Sequence, residues 1–228
     1  MKKRYFEPLP EEQPSFWMSY ADIMAGLLFV FILILLYTVY DYRTELLDKQ
    51  KEIDRMLGLR RDIISALIKE FKDTNLQLEI DSQTGAIRFP GGIFFAVDSY
   101  KITQEGKKYL KEFIPRYVIV ILDPEFRDYI AQIIVEGHTD DDGTYLYNLE
   151  LSQNRTLEAA KYILGNEFEF TYKDGLKIFL TANGRSFSHP VMNNQGTIDK
   201  TKSRRVEFKF RLRDEEMIMD LRTALTPN

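Results

Sequence analysis

Gly137-His-Thr-Asp140-Asp-Asp-Gly143-Thr-Tyr-Leu-Tyr-Asn148-Leu-Glu-Leu-Ser152-Gln-Asn-Arg155 is the stretch from which the rest of this sequence can be read. Just upstream, Gln132-Ile-Ile-Val-Glu136 is a short apolar run that predicts a buried strand. Downstream, Leu151, Leu157, Ala160 and Leu164 predict an amphipathic helix over residues 146–164. The acids and glycine between them are loop chemistry. A strand, a polar loop and a helix in this order can bring Asp140 and Arg155 to one edge of a domain. There a carboxylate would hold an ammonium and a guanidinium would fork onto a carboxylate, so the two together suit a zwitterion. The same spacing suits a plain salt bridge from loop to helix, and spacing alone leaves both open.

Working outward, the flanking segments alternate in type. Leu76, Leu78 and Ile80 alternate with polar residues, as does Ala86-Ile-Arg-Phe89, and Asp81-Ser-Gln-Thr-Gly85 between them predicts a hairpin. Ile93-Phe-Phe95 reads as a short strand or loop. Thr103 is an N-cap candidate for a helix to about Arg116, limited by Pro115, and Val118 to Leu122 extends it or forms a strand. Lys177-Ile-Phe-Leu-Thr181 predicts a strand, and Arg205-Val-Glu-Phe-Lys-Phe-Arg-Leu212 alternates strictly, as a half-buried strand does. Glu215 to about Ala224 predicts a short helix before the end of a 213–228 tail. Residues 76–212 therefore form an α/β domain, a mixed sheet with helices on one face.

The amino-terminal quarter differs in kind. Ser19 to Tyr40 is an apolar run of 22 residues with a single charge, Asp22. A helix of that length rises about 33 Å, enough for a hydrocarbon core of about 30 Å. The fold class is thus a single amino-terminal transmembrane helix (residues 16–40) and a helical linker, followed by the α/β domain. No small-residue cleavage site follows the run, so it reads as an anchor and not as a signal peptide. A carboxylate within a spanning helix carries a penalty of roughly 2.5–3.5 kcal/mol at the centre, which marks Asp22 as a proton or ion carrier; the competing reading is a cap at the membrane boundary. Residues 1–15, with Pro8, Pro10 and Pro14, read as an extended tail. Across residues 41–73 two heptad lines appear, Leu46, Ile53, Arg60, Leu67 and Gln50, Leu57, Ile64, Phe71. They predict a parallel two-stranded coiled coil, hence a homodimer, against the alternative of one helix packing back on its own domain.

Composition excludes several classes. The net charge of −4 leaves no basic patch for nucleic acid, and the absence of cysteine removes thiolate and cysteine–metal chemistry. The two histidines, His138 and His189, do not form a metal-binding pair in sequence. Asp140-Asp-Asp142-Gly143 has its glycine too early for a calcium-binding loop of the helix–loop–helix type. No nucleophile with a base is visible, so no enzyme is expected, nor any cofactor beyond a transported H+ or Na+.

Two resemblances extend this reading. Gly137-His-Thr-Asp140, Gly143, Asn148, Leu151-Ser152 and Arg155, with the later Arg204-Arg205-Val206-Glu207, are similar to the signature of OmpA-like peptidoglycan-binding domains. That likeness implies that Asp140 and Arg155 bind the diaminopimelate of the wall peptide. It adds Asn148, Arg204 and Arg205 to the binding set and makes His138, Thr139 and Gly143 loop supports. Asp142 and Ser203 depart from the usual Thr and Asn, and negative charge at Asp141 and Asp142 would weaken a carboxylate ligand or favour a cation. Phe16-Trp-Met-Ser-Tyr-Ala-Asp22-Ile-Met resembles the ion-channel helix of MotB-type stator B subunits, in the form seen in the B subunit of Zorya antiphage-defence systems. This implies Asp22 as the H+ or Na+ carrier, a ring of MotA- or ZorA-like A subunits as partner, and an inner-membrane chain with its amino terminus cytoplasmic and its domain periplasmic. A flagellar MotB-like stator and a passive peptidoglycan tether are the alternatives.

Overall fold

The computed structural model describes residues 16–213. The expected tail over residues 1–15 and the expected helix over 215–224 lie outside them. The chain divides between Glu52 and Ile53 into two compact units.

Helix α1, Phe16–Phe71, begins in the first unit and supplies the first element of the second. Within the first unit its large apolar side chains are solvent-facing: Leu28, Phe29 and Leu35 are 58%, 62% and 49% exposed. An 18-residue stretch reaches a mean hydropathy of 2.6 with nothing buried, long and apolar enough to cross a membrane.

The second unit is a five-stranded sheet in the order β1-β2-β5-β3-β4, where β1 is Glu79–Ile80, β2 Ile87–Pro90, β3 Ile130–His138, β4 Leu180–Gly184 and β5 Arg205–Leu212. Only β3 and β4 run parallel. The expected hairpin is present, closed by the Asp81 carboxylate accepting from the Gln83 and Thr84 amides, with Gly85 at φ +73°. Strict alternation divides β5. Val206, Phe208, Phe210 and Leu212 enter the core, while Arg205, Glu207 and Lys209 join Arg88 and Glu136 on the other face. The core gathers around Phe89, Phe113 and Phe208, whose rings meet edge-on at centroid distances of 4.9, 4.8 and 6.0 Å.

Helices α2 (Gly91–Phe94), α3 (Gln104–Ile121), α4 (Tyr145–Leu164), α5 (Lys173–Phe179) and α6 (Lys200–Ser203) complete the unit. Thr103 caps α3 as expected: its Oγ1 accepts from Gly106 N at 2.9 Å and donates to Ile93 O at 2.8 Å. Pro115 does not end this helix, which continues through Val118 because Phe113, Ile114, Tyr117, Val118 and Ile121 form one buried stripe. Ile93 and Phe94 lie in the short α2, neither strand nor loop. The strand expected over Lys177–Thr181 begins only at Leu180. The Lys173 ammonium, bonded to Gly165 O at 2.6 Å and Phe168 O at 2.8 Å, anchors a helical turn there, and Leu176 is buried one turn on while Ile178 is 79% exposed.

The largest correction concerns the linker. From Ile53 onward α1 packs onto its own domain: Ile63 and Leu67 are fully buried, and Phe71 stacks 5.2 Å from Phe113. Ile53, Ile64, Leu67 and Phe71, positions assigned to a coiled-coil seam, are core residues. The seam reading fails there because the same apolar stripe serves either use. The compact unit that holds the α/β domain begins at Ile53.

Candidate functional site

Two glycines set the site. A Cβ on Gly137 would lie 2.8 Å from Ser152 O, and one on Gly184 would lie 2.4 Å from Gln153 N. Both are glycine because α4 lies directly against the ends of β3 and β4. That contact brings Arg155, deep in α4, to the loop that leaves β3.

Asp140 is the second residue of this loop and is 7% exposed. The strand direction is held one residue further by Thr139 N donating to Ser186 O at 3.0 Å. Gly143, at φ +94°, turns the loop into α4, whose cap Thr144 accepts from Tyr147 N. Buried Asn148 donates to Asp142 O at 2.7 Å, and Asp142 N donates to Asp140 Oδ1 at 3.3 Å. Asn148 therefore fixes the loop that aims the Asp140 carboxylate.

Arg155 is 8% exposed. Its Nε donates to Ser99 O at 2.8 Å, its Nη2 to Ala96 O at 3.2 Å, and the guanidinium lies over the Phe95 ring. The carbonyls come from a loop closed by the Phe95–Ile102 bridge, with Asp98 at φ +53°. Burial lowers the Arg155 pKa from its ordinary value, and the fields of Asp98, Tyr147 and Asp140 oppose that shift. The side chain stays a cation, held by neutral carbonyls that leave its charge available.

No salt bridge joins Asp140 to Arg155 among the described residues, so the plain loop–helix ion pair is not what the spacing builds. Asp140 Oδ2 instead accepts from Arg204 Nη1 at 2.5 Å. Lys200, which the sequence reading missed, sits 2.5 Å from Asp142 and 3.7 Å from Asp141. It offsets the acidity expected to weaken a carboxylate ligand. A lysine 58 residues downstream leaves no local signal for that partnership. Ser203 is fully buried and its Oγ accepts from Val191 N at 3.0 Å, so it ties down the segment before the double arginine.

Two expected members are elsewhere. Adjacent strand residues point to opposite faces. Arg204 reaches Asp140, and Arg205 turns to Glu207 at 2.6 Å and to His189 O at 3.1 Å. His138 likewise leaves the Asp140 loop for the charged face. Its Nε2 lies 3.1 Å from Glu136 and 3.9 Å from Glu207, off the direction of a hydrogen bond, and neither ring nitrogen has a hydrogen-bond partner. Thr139 Oγ1 is also buried without one, so only its backbone supports the loop.

The Glu136, His138 and Glu207 ligand atoms lie within 4.8 Å of one another. The Lys209 ammonium already bridges the two carboxylates at 2.6 and 2.7 Å, with Arg205 and Arg88 on Glu207, so this is a charge-balanced cluster. Burial raises the pKa of each carboxylate, but His138 and Lys209 bring Glu136 down to about 2, and Lys209 and Arg205 do the same for Glu207.

The OmpA family matches residues 94–204, the span that holds this site. Over 214 residues the chain is 32% identical to the Zorya protein ZorB of Escherichia coli strain Crooks, covering 89% of this chain and 90% of that one. The Zorya protein ZorB of Escherichia coli O139:H28 is 27% identical over 219 residues, covering 90% and 85%. The solved structure of a MotB-like protein from Desulfovibrio vulgaris shares the fold, with a TM-score of 0.51 and 20% identity over 70% of this chain and 94% of that one.

Proposed function

We propose, from the premise that the chain belongs to the ZorB family, that it is the B subunit of an ion-driven stator in a Zorya antiphage-defence system. It anchors an inner-membrane motor to peptidoglycan. Asp22 carries H+ or Na+ across the bilayer, where protonation or ion binding removes the penalty on its charge. The potential supplies about 2.3 kcal/mol per charge per 100 mV. A ring of ZorA-like A subunits surrounds the membrane helix and turns against it. The amino terminus is cytoplasmic and the domain periplasmic. Asp140 and Arg155 hold the ammonium and carboxylate of diaminopimelate, Asn148 supports the loop, and Arg204 yields Asp140 to the ligand. Two copies pair along residues 20–52, because from Ile53 the stripe is already used within the domain.

The observation that carries the reading is the company Asp22 keeps. It is the only charged residue from Trp17 to Tyr40, a stretch of α1 whose apolar side chains are all exposed. The test is complementation of a deletion strain with Asp22→Asn, which keeps shape and hydrogen bonding but does not titrate. Co-purification with the A subunit is expected to persist and phage protection to vanish. Full protection from an assembled Asp22→Asn complex refutes ion carriage and leaves a passive tether.

A further inference from the structure

A cavity of about 730 Å³ opens beside α6. Leu78, Phe89 and Val191 give it apolar walls, and Arg88, Lys202 and Arg205 bring three cations. Two of these are already matched. Arg88 Nε is 3.2 Å and Arg205 Nε 2.6 Å from Glu207, and Arg88 also meets Asp81 at 2.8 Å. Glu79, the lining carboxylate, is 3.8 Å from Arg88. Lys202 has no carboxylate partner among the described residues. The cavity therefore lacks one negative charge, placed against an apolar wall.

The cavity neighbours the first site along the chain: Arg204 meets Asp140, and the next residue, Arg205, lines the cavity. Lys200 reaches over the Asp140 loop, and Thr201 and Lys202 of the same four-residue helix line the cavity. Four helical residues rise about 6 Å, and a three-residue extended chain spans about 10 Å. A peptide whose terminal zwitterion lies between Asp140 and Arg155 can thus place the carboxylate of the residue before it against Lys202.

We infer that this cavity is a second subsite, which binds the carboxylate-bearing residue preceding the zwitterionic end of the wall peptide, with Lys202 as its counter-ion. The inference rests on the wall-binding reading above. In a stem peptide of the diaminopimelate type that residue is a γ-linked D-glutamate with a free α-carboxylate. The subsite would make the protein sensitive to amidation of that carboxylate, a change the Asp140–Arg155 pair alone cannot sense.

The test uses the full chain in detergent and three probes: meso-diaminopimelate, L-alanyl-γ-D-glutamyl-meso-diaminopimelate, and the same tripeptide with its glutamyl α-carboxylate amidated. The acidic tripeptide is expected to bind roughly fivefold more tightly than free diaminopimelate, the span of an exposed ion pair. Amidation should remove that advantage. Lys202→Glu should remove it while leaving the affinity for free diaminopimelate unchanged, and Lys202→Arg should restore it. An advantage that survives Lys202→Glu, or that never exists in the wild type, overturns the subsite. Asp140→Ala is expected to lose all three probes. If it retains them, the wall site itself is wrong, a failure distinct from that of the subsite.

Discussion

Helix α1 is one element in two solvents. From Trp17 to Tyr40 its leucines, isoleucines and phenylalanines are 42% or more exposed, whereas Ile63 and Leu67 are fully buried among Phe113, Phe71 and the sheet. The two stretches are about equally helical and both rich in apolar residues. What separates them is the partner: the later stretch finds one in its own domain, and the earlier must find lipid or other helices. Charge follows the same division. In the domain, buried carboxylates are matched by neighbours, Asp140 by Arg204 and Glu207 by Arg205 and Lys209. Asp22 has no ion pair among the described residues. A matched acid serves structure or holds a ligand, whereas an unmatched one in an apolar helix bears its desolvation penalty alone.

The sharpest break of this comparison is one charge placed in each stretch. Leu67→Asp puts a carboxylate where exposure is zero and is expected to remove more than about 4 kcal/mol from the domain, enough to unfold it. Leu35→Asp, at a position 49% exposed, should leave the urea midpoint of the domain unchanged in detergent. Equal effects would mean that the two stretches do not differ in the way described.

The matched acid at the site gives the next effect. Asp140→Ala and Arg155→Ala are each expected to abolish co-sedimentation of the full chain with peptidoglycan sacculi. Arg155→Ala should also destabilise the loop at Ala96 and Ser99, losing about 1–3 kcal/mol, since its guanidinium satisfies both carbonyls. Asp140→Ala leaves Arg204, which is half-exposed and free to turn to water, so its stability cost is smaller. Wild-type sedimentation by both variants would remove them from the wall site.

How much of this could be read beforehand follows the same division between local and distant partners. The hairpin, the Thr103 cap and the alternation of β5 are local patterns, and the sequence carries them directly. So does the Asp140-to-Asn148 loop, where cap, glycine and asparagine lie within nine residues. The linker was misread because Ile53, Ile64, Leu67 and Phe71 satisfy a heptad and a domain-facing stripe equally well, and only the presence of Phe113 and Phe210 decides. Arg205 and His138 enter the expected site only through the resemblance to the OmpA-like signature, and alternation on a strand sends them to the face opposite Arg204 and Thr139. Lys200 against Asp142 was invisible for the opposite reason: the partners meet only through the fold.

The charged face of the sheet yields an effect that depends on pH. Glu136 and Glu207 are held at about 2, below their ordinary value of 4.5, so the stability they contribute is present above pH 4.5 and is lost as pH falls towards 2. Each contributes about 3 kcal/mol at most. Burial lowers His138, so protonation near pH 6.5 favours the unfolded chain and moves stability the same way. The urea midpoint of the domain is therefore expected to drop from pH 7 to pH 4 and further below it. Lys209→Met should lower the midpoint at pH 7 and flatten the acid limb of this profile, since it removes the ammonium that holds both carboxylates below their ordinary value. A flat profile between pH 7 and 3 would show that the cluster is not held as described.

The smallest effect tests where the two stretches of α1 meet. Leu57 is the one apolar seam position after Ile53 that remains substantially exposed, at 38%. Its neighbours Ile53 and Met56 turn instead towards Tyr129, which also receives Arg55. If α1 packs back from Ile53 in solution, Leu57→Asp exposes nothing new and is expected to cost under about 1 kcal/mol, the range of a surface substitution. It should also leave the oligomeric state of the full chain in detergent unchanged by analytical ultracentrifugation, because any pairing lies before residue 53. A coiled coil through residues 46–71 predicts the reverse: a carboxylate at a seam position would face its copy across the dimer axis, and the dimer would dissociate. Dissociation on Leu57→Asp with an unchanged urea midpoint would therefore return the linker to the seam and place the packed-back stretch in competition with it.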